Sequence, residues 1–180
     1  MTRFLLVLMS LLLVVGTSAA VAHNGRHHSA PPSCVADDNS GDDNESGDDL
    51  RMARTSGEDD EELGGDEGDN HVSGHGGDDD ECGNDGDDEL EGGPGDDDLD
   101  GGPGDDTIDG GPGDDDEFGR SGRDHLRGGA GHDHVFAGPG GDVIRVRDHK
   151  RDVVHCGGGE DRVIADSSDR VAGDCENVDD

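Results

Sequence analysis

An aliphatic side chain returns every nine residues through the middle of the chain, and glycine and aspartate fill most of the positions between. Cutting the sequence into nonapeptides from Gly65 to Arg145 gives nine segments, and position 8 of the nonapeptide is aliphatic in seven of them. Those residues are Val72, Leu90, Leu99, Ile108, Leu126, Val135 and Ile144. A bias toward glycine and aspartate does not by itself place aliphatic residues at one period. The pattern therefore predicts a repeat architecture.

Three further positions of the nonapeptide are nearly constant. Position 1 is glycine in eight of the nine segments, position 4 is glycine in all nine, and position 6 is aspartate in eight. Glycine tolerates positive φ and lets carbonyls approach where a Cβ would collide, so the glycine-rich part predicts a tight turn. The three residues around position 8 then predict a short strand with one inward side chain. Two nonapeptides would complete one coil, which stacks residues 18 apart.

Burial of apolar side chains cannot supply the folding free energy of an ordinary globular domain here. The chain has no Trp or Tyr, and residues 23–180 contain only 20 Val, Ile, Leu or Phe among 158. That share is about 13%, below the roughly 20% under which a highly charged chain is expected to remain disordered. The chain must stay unfolded or gain folding free energy from another source, and its many carboxylates indicate a bound cation.

The charge of the chain is strongly negative and unevenly distributed. There are 48 acidic and 13 basic side chains, a formal net charge of −35, which excludes nucleic acid as a partner. Residues 37–118 carry 35 acidic side chains and two arginines, whereas residues 119–180 carry 13 acidic and nine basic side chains. Two electrostatic regimes therefore share one chain.

The N-terminal region is predicted to comprise two segments that precede the repeats. Residues 1–22 have one cation, Arg3, then an apolar stretch and small residues, as in a secretory signal peptide. Residues 23–64 are polar and irregular, which predicts a disordered acidic leader. No other stretch is apolar enough for a membrane span. The sequence therefore predicts export without a membrane anchor.

The repeating residue types are hard oxygen donors. The position 6 aspartates supply carboxylates and the turns supply exposed carbonyls, which together can provide the about six to eight oxygen ligands that Ca²⁺ accepts. Mg²⁺ prefers a smaller, near-octahedral shell and retains its waters. Zn²⁺ favours His or Cys, which are not among the repeating residues. Ca²⁺ between neighbouring turns is therefore the predicted cofactor.

The repeat of residues 65–145, Gly-Gly-x-Gly-x-Asp-x-aliphatic-x, resembles the haemolysin-type (RTX) calcium-binding repeat. The resemblance implies an all-β fold, a right-handed parallel β-roll (β-solenoid) that holds Ca²⁺ between successive turns and folds only with Ca²⁺ bound. It also implies the ligand carboxylates, position by position. These are Asp79, Asp88, Asp97, Asp106, Asp115, Asp124, Asp133 and Asp142.

One segment departs from the pattern at its inward position. In residues 110–118, position 8 is Glu117, whose burial would carry a substantial desolvation cost. A one-residue bulge is the favoured alternative. The bulge would make Asp116 a metal ligand and turn Phe118 inward.

The first two nonapeptides are also atypical. Asn70 stands at position 6 of the first, and Glu81 stands at position 8 of the second. Each replaces a side chain that the repeat uses, so the ordered array is expected to begin as late as Gly83.

The nine-residue frame slips beyond Arg145, but an aspartate still precedes an aliphatic residue by two positions. Examples are Asp152 with Val154 and Asp161 with Val163. Valine and arginine alternate there, which predicts strands with few calcium ions. Terminal repeats of solenoids are atypical, so residues 155–180 are expected to form a cap after a β-roll of residues 65–154.

Four cysteines in an exported chain allow three pairings. The run from Cys156 through Cys175 resembles the closing segment of some secreted haemolysin-type repeat proteins, and this resemblance implies a Cys156–Cys175 disulfide at the cap. Cys34 and Cys82 remain as a second pair. A zinc site is disfavoured because no two cysteines have C-x-x-C spacing.

Taken together, these features predict a secreted, extracellular calcium-binding protein that is not an enzyme. The sequence contains neither His-Glu-x-x-His nor Gly-x-Ser-x-Gly. Two alternatives stay open. One is a constitutively disordered polyanion that buffers cations or coats a surface, and the other is a calcium-dependent adhesive or matrix scaffold for an extracellular protein or glycan.

Overall fold

The computed structural model describes residues 60–179 and the backbone of residues 52–54. The predicted signal peptide, residues 1–22, and most of the predicted leader lie outside the described residues. The described part of the chain consists of short strands and turns, with no helix. The strands are β1 (Met52–Arg54), β2 (Glu62–Gly64), β3 (His71–Ser73), β4 (Asp80–Cys82), β5 (Glu89–Glu91), β6 (Asp98–Pro103), β7 (Thr107–Pro112), β8 (Asp116–Ser121), β9 (His125–Ala130), β10 (His134–Gly140), β11 (Val143–Arg145), β12 (Val153–Gly159), β13 (Arg162–Ile164), β14 (Arg170–Val171) and β15 (Asn177–Asp179).

The strands alternate between two parallel sheets. Odd-numbered strands form an eight-stranded sheet in the order β1-β3-β5-β7-β9-β11-β13-β15, and even-numbered strands form a seven-stranded sheet from β14 to β2. Partners within the repeat are 18 residues apart, as in Leu90 with Ile108. Each nonapeptide therefore supplies half a coil, and the coils stack into a parallel β-solenoid of about seven turns. The predicted all-β solenoid is confirmed.

The interior between the two sheets is filled by one side chain from each nonapeptide. Position 8 residues are in register along each sheet, so Val72, Leu90 and Ile108 lie side by side in one row. These three side chains are at most 1% exposed. Successive side chains of a strand point to opposite faces, so positions 7 and 9 face away from this interior. The core is a narrow stripe, which explains how so few apolar residues can serve a chain of this length.

The ordered array begins before Gly83. Strand β2 pairs with β4, and Leu63 is 7% exposed in the position 8 row, nine residues before Val72. The backbone of β1 also pairs with β3. The prediction of disorder through residue 64 is therefore wrong for β2, because Leu63 supplies the inward side chain that this half-coil needs.

The predicted bulge at Glu117 is wrong. Strand β8 pairs without interruption on both sides, so Glu117 keeps position 8 between Leu99 and Val135. Its side chain is fully buried. Asp116 stays at position 7, where its carboxylate lies 3.0 Å from Nδ1 of His134. A bulge would have broken the pairing of β8 with both neighbouring strands. The chain keeps this pairing and buries the carboxyl group of Glu117 instead.

Phe118 consequently lies outside the core rather than inside it. It occupies position 9, stacks on Phe136 with ring centroids 5.3 Å apart, and lies beneath the guanidinium of Arg120. Phe136 in turn stacks on His155. These contacts form a short aromatic ladder on the outer face of the even-numbered sheet.

One extra residue enters the coil after β11. The pairing distance changes from 18 to 19 residues, as in Val135 with Val154 and Ile144 with Val163. The extra residue lies in the connection between β11 and β12, and Val154 and Val163 remain fully buried in the position 8 rows. Strands β12 to β15 therefore continue the two sheets to residue 179.

The predicted disulfide at the C-terminal end is confirmed. Cys156 and Cys175 are bonded, with Cα atoms 5.2 Å apart. Cys82 is also disulfide-bonded, and its predicted partner, Cys34, lies outside the described residues. Within residues 60–179 there is no helical segment with the length and hydropathy needed to span a membrane.

Candidate metal centre

The turns bring backbone atoms of successive coils unusually close together. A Cβ placed on Gly95, at position 4, would lie 1.5 Å from the carbonyl oxygen of Gly77 in the preceding coil, and the φ of Gly95 is +155°. Only glycine fits both conditions. A Cβ on Gly92, at position 1, would lie 2.5 Å from Oδ2 of Asp97 and 2.8 Å from the carbonyl oxygen of Gly110. The glycine at position 1 therefore leaves a space lined by oxygen atoms.

The position 6 aspartate is held in place by the preceding coil. Oδ1 of Asp97 accepts a hydrogen bond from the backbone N–H of Asp79, 18 residues earlier, at 2.9 Å. Oδ1 of Asp106 accepts from the N–H of Asp88 in the same way, at 2.9 Å. This bond uses one carboxylate oxygen and fixes the direction of the other.

These hydrogen bonds link the position 6 aspartates into two rows, one for each set of turns. One row contains Asp79, Asp97, Asp115, Asp133 and Asp152. The other row contains Asp88, Asp106, Asp124, Asp142 and Asp161. The structure thus brings together all eight aspartates predicted at position 6.

Asp152 and Asp161 are members of these rows that the sequence analysis did not assign as ligands. Both lie beyond the one-residue slip after Arg145, where a fixed nine-residue frame no longer reaches them. The surviving signal was the aliphatic residue two positions after each aspartate. That spacing would have placed both residues in the rows.

The second carboxylate oxygen of every aspartate in the two rows is buried and lacks a hydrogen-bond donor. The side chains themselves are 0–2% exposed. A buried, unpaired carboxylate oxygen is costly, and the cost is repeated along both rows. A positive charge in these spaces would remove that cost.

Backbone carbonyls complete the lining of the spaces. Beside Asp88, a Cβ on Gly83 would lie 2.4 Å from Oδ2 of Asp88 and 2.5 Å from the carbonyl oxygen of Gly101. Beside Asp124, a Cβ on Gly119 would lie 2.6 Å from Oδ2 of Asp124 and 2.7 Å from the carbonyl oxygen of Ala137. The same arrangement of one carboxylate oxygen and the position 1 carbonyl of the next coil therefore recurs along the array.

The protein alone does not favour the ionised form of these carboxylates. Burial raises the pKa of Asp97, Asp106, Asp124 and Asp133 to about 7, against the lowering effect of the backbone hydrogen bond that each accepts. Burial raises the pKa of Asp115 to about 8. The pKa values of Asp79, Asp88 and Asp142 are also raised, mainly by burial. Uptake of a proton or a cation would therefore lower the cost of burying these groups.

The donor set fits Ca²⁺ better than a transition metal. No three His, Cys, Asp or Glu side chains of residues 60–179 converge on one point as a metal-binding group. An ion in these turns would therefore take one or two carboxylates and complete its shell with backbone carbonyls and water. Hard oxygen ligands in a flexible shell are the preference of Ca²⁺, whereas Zn²⁺ selects nitrogen and sulfur.

The oxygen-lined space closes toward the C-terminal end of the row that contains Asp142 and Asp161. Ala137 stands five residues before Asp142, where the earlier segments have glycine, and Cys156 stands five residues before Asp161. Both side chains are fully buried. Beside Asp142 and Asp161, a Cβ therefore occupies the space that corresponds to the open one beside Asp97. These two aspartates are poorer candidate ligands for that reason.

Asn70 takes the place of the position 6 carboxylate in the first turn. Its side-chain nitrogen donates to the carbonyl oxygens of Gly68 and Asp66, the latter at 3.4 Å. An amide N–H₂ thus supplies hydrogen bonds to turn carbonyls that a cation would otherwise contact.

A second ladder of carboxylates lies at position 5 and was not predicted. Oδ1 of Asp78 accepts from the backbone N–H of Asp96, and Oδ1 of Asp87 accepts from that of Asp105, each 18 residues later. These bonds are exposed, unlike those at position 6. Neighbouring aspartates of one turn therefore reach in opposite directions along the solenoid.

Comparison with known families agrees with this geometry. Residues 83–117 and 118–144 match the family model of the haemolysin-type repeat, described as the RTX calcium-binding nonapeptide repeat in four copies. This central part of the chain therefore consists of RTX calcium-binding repeats, as the sequence predicted. No curated protein matches the chain.

Proposed function

We propose that this is a secreted, non-enzymatic calcium-binding protein whose repeats fold when Ca²⁺ binds. The observation that carries the proposal is the pair of aspartate rows. Each position 6 carboxylate is anchored through Oδ1 and keeps a buried Oδ2 without a donor. In Asp88, Asp97, Asp115 and Asp124 that oxygen borders the same space as a turn carbonyl. The ligands would be Asp79, Asp88, Asp97, Asp106, Asp115, Asp124 and Asp133, with Asp142 the weakest. Asp116 is no longer a proposed ligand, because its prediction as a ligand depended on a bulge that the structure does not contain.

Binding and folding are coupled in this proposal through charge. The narrow aliphatic core is small, and the chain carries a formal net charge of −35. Without a cation, closing the solenoid at neutral pH would bury carboxylates that the protein does not neutralise. Since the oxygen-lined spaces require stacked coils, the binding free energy is available only to the folded chain.

The proposed location follows from the same coupling. A disulfide between Cys156 and Cys175 is stable in oxidising compartments, and residues 1–22 have the pattern of a signal peptide. Extracellular calcium modules commonly have a Kd of about 10⁻⁴ to 10⁻³ M. Such an affinity would leave the chain unfolded where calcium is scarce and folded where it is abundant.

The proposal is tested by far-ultraviolet circular dichroism of the disulfide-intact protein titrated with Ca²⁺ and, separately, with Mg²⁺. We expect a cooperative gain of β signal with Ca²⁺ and little change with Mg²⁺. A coil-like spectrum with both ions would overturn the proposal and favour the disordered polyanion.

A matched pair of variants tests whether position 6 carries the binding. The first variant changes Asp97, Asp106, Asp124 and Asp133 to Asn, and the second changes Asp87, Asp96, Asp105 and Asp114 to Asn. Both lose four negative charges, but only the first removes buried carboxylates from the two rows. We expect reduced calcium stoichiometry in the first alone. Equal stoichiometry in the two variants would contradict the site assignment.

A further inference from the structure

Two glutamates point into the interior of the solenoid, where the repeat elsewhere has an aliphatic side chain. Glu81 lies at position 8 between Leu63 and Leu99, and Glu117 lies at position 8 between Leu99 and Val135. Both side chains are 0% exposed. Burial of a carboxyl group at a position suited to leucine needs a compensating interaction.

The carboxyl group of Glu81 lies beside that of Asp79. A Cβ on Gly74 would lie 2.3 Å from Oδ2 of Asp79 and 2.7 Å from Oε1 of Glu81, so both oxygens border the same glycine space. Oδ2 of Asp79 and Oε2 of Glu81 have no hydrogen-bond partner, while the backbone N–H of Gly74 interacts with the Glu81 carboxyl group and lowers its pKa against the effect of burial. Two buried carboxyl groups therefore meet at one position 1 glycine, each with an oxygen that has no partner.

Glu117 repeats this arrangement two coils later. Its Oε1 accepts a hydrogen bond from the backbone N–H of Gly110 at 3.2 Å, and its Oε2 is buried without a partner. A Cβ on Gly110 would lie 2.6 Å from Oδ2 of Asp115 and 2.9 Å from the carbonyl oxygen of Gly128. The glutamate carboxyl group therefore reaches the same position 1 glycine as the aspartate two residues earlier.

We propose that Glu81 and Glu117 are calcium ligands that act from inside the solenoid, each joining the position 6 aspartate of its own turn, Asp79 or Asp115. This inference rests on the proposed calcium binding. With these glutamates as ligands, the spaces at Gly74 and Gly110 are sites with two carboxylates from their own turn. The other spaces have one such carboxylate each; they lie at Gly83, Gly92, Gly101, Gly119 and Gly128. The affinity of oxygen-ligand calcium sites rises with the number of charged ligands.

The spacing of the two glutamates supports a shared role. Both lie in the even-numbered sheet, two residues after an aspartate of the same row, and Leu99 separates them. In each case the negative charge of the aspartate one coil later raises the pKa of the glutamate. Asp97 has this effect on Glu81, and Asp133 has it on Glu117. The two glutamates therefore occupy equivalent points of the repeat.

An inert, protonated glutamate is the alternative, and it differs in a measurable way. Burial raises the pKa of Glu81 to about 8 and that of Glu117 well above its ordinary value, so burial favours the neutral form of both groups over the charged form. Glutamine has the size of a protonated glutamate but cannot provide a charged ligand. Substitution by glutamine would preserve an inert group, whereas it would replace a charged calcium ligand with a weaker, neutral one.

The test is equilibrium calcium binding to the full disulfide-intact chain, by calorimetry and by dialysis, for wild type, Glu81→Gln, Glu117→Gln and the double variant. Glu160→Gln, at an exposed site, controls for the loss of one charge. We expect each interior substitution to weaken one of the tightest sites by about tenfold or more, and the control to have no effect. Unchanged affinities in both interior variants would overturn the inference while leaving the proposed function intact.

A second pair of variants covers the case in which a buried glutamine impairs folding. Glu81→Leu and Glu117→Leu restore the aliphatic residue of the repeat and remove the buried carboxyl group, so both should still fold at saturating calcium. We expect them to lose the tight sites and retain the others. A wild-type set of affinities in the leucine variants would overturn the inference, whereas absence of calcium binding in the wild-type chain would overturn the proposed function itself.

Discussion

The backbone N–H of Asp79 donates a hydrogen bond to Oδ1 of Asp97, 18 residues later, at 2.9 Å. One carboxylate thus performs two tasks, because Oδ1 joins adjacent coils while Oδ2 remains for a cation. A substitution at position 6 can separate these tasks, since asparagine keeps the acceptor oxygen and alanine removes it.

Asp106→Asn should therefore lose one calcium site but retain the link to Asp88. Its amide would donate to turn carbonyls, as the amide of Asn70 does. Asp106→Ala should lose the site and also leave the buried N–H of Asp88 without an acceptor, at a cost of about 1–3 kcal/mol. Urea unfolding in excess calcium measures the difference. Equal stability of the two variants would show that the Oδ1 bond contributes little.

The position 1 glycines should not tolerate a methyl group. In Gly92→Ala the Cβ would lie 2.5 Å from Oδ2 of Asp97, so we expect loss of that site and weaker calcium-induced folding. Gly158→Ala is a suitable control, because a Cβ there meets no atom within 4 Å. Calcium titrations followed by circular dichroism compare the two. A wild-type response from Gly92→Ala would contradict the assigned space.

Acid should promote folding of the calcium-free chain. The pKa of Asp97 rises from its ordinary value of 3.8 in the unfolded chain to about 7 in the solenoid, mainly through burial. The folded state then binds more protons than the unfolded state between about pH 4 and pH 7, so stability increases as the pH falls through this range. Circular dichroism in chelator should show more β signal at about pH 5 than at about pH 7.5.

The opposite dependence is expected when calcium is present. Protons and cations compete for the same carboxylates, so the calcium concentration at the folding midpoint should increase as the pH falls. A calcium-free chain that loses β signal on acidification would contradict the burial of unneutralised carboxylates.

The disulfide should stabilise the C-terminal coils. Cys156 and Cys175 close a loop with a sequence separation of 19 residues, which corresponds to about 3 kcal/mol in the chain-entropy model. Replacing both with alanine should lower the free energy of unfolding in calcium by that order, with little change in the affinity of the central sites. Hydrogen exchange resolved along the sequence would localise the loss to β12–β15. Uniform loss across the array would contradict this view.

The repeat positions were predictable because each has one physical requirement. Glycine is needed at Gly95 and Gly92 because a Cβ would collide there. Asp97 links its coil to the preceding one, and Leu90 fills the interior. These local requirements set the 18-residue register and the two rows. The family resemblance and the residue pattern therefore agreed on the same aspartates.

The predictions that were wrong involve interactions that a linear frame does not contain. Glu117 was expected to be excluded from the interior because a lone carboxyl group is costly there. The strand pairing on both sides holds it in place, and the adjacent Asp115 site offers it a role. Asp152 and Asp161 were missed because one inserted residue shifted the frame, and Leu63 was counted with the acidic leader because its segment has few other repeat residues.

The two carboxylate ladders give the solenoid a direction. An aspartate at position 6 accepts a hydrogen bond from the preceding coil, whereas an aspartate at position 5 accepts one from the following coil. The position 5 ladder ends where Arg123 and His132 replace aspartate. Coils beyond that point are tied to their successors through Asp152 and Asp161 and finally by the disulfide. The C-terminal end therefore provides a fixed edge on which earlier coils can pair. We expect truncation from the C-terminal end to unfold the array more readily than truncation from the N-terminal end.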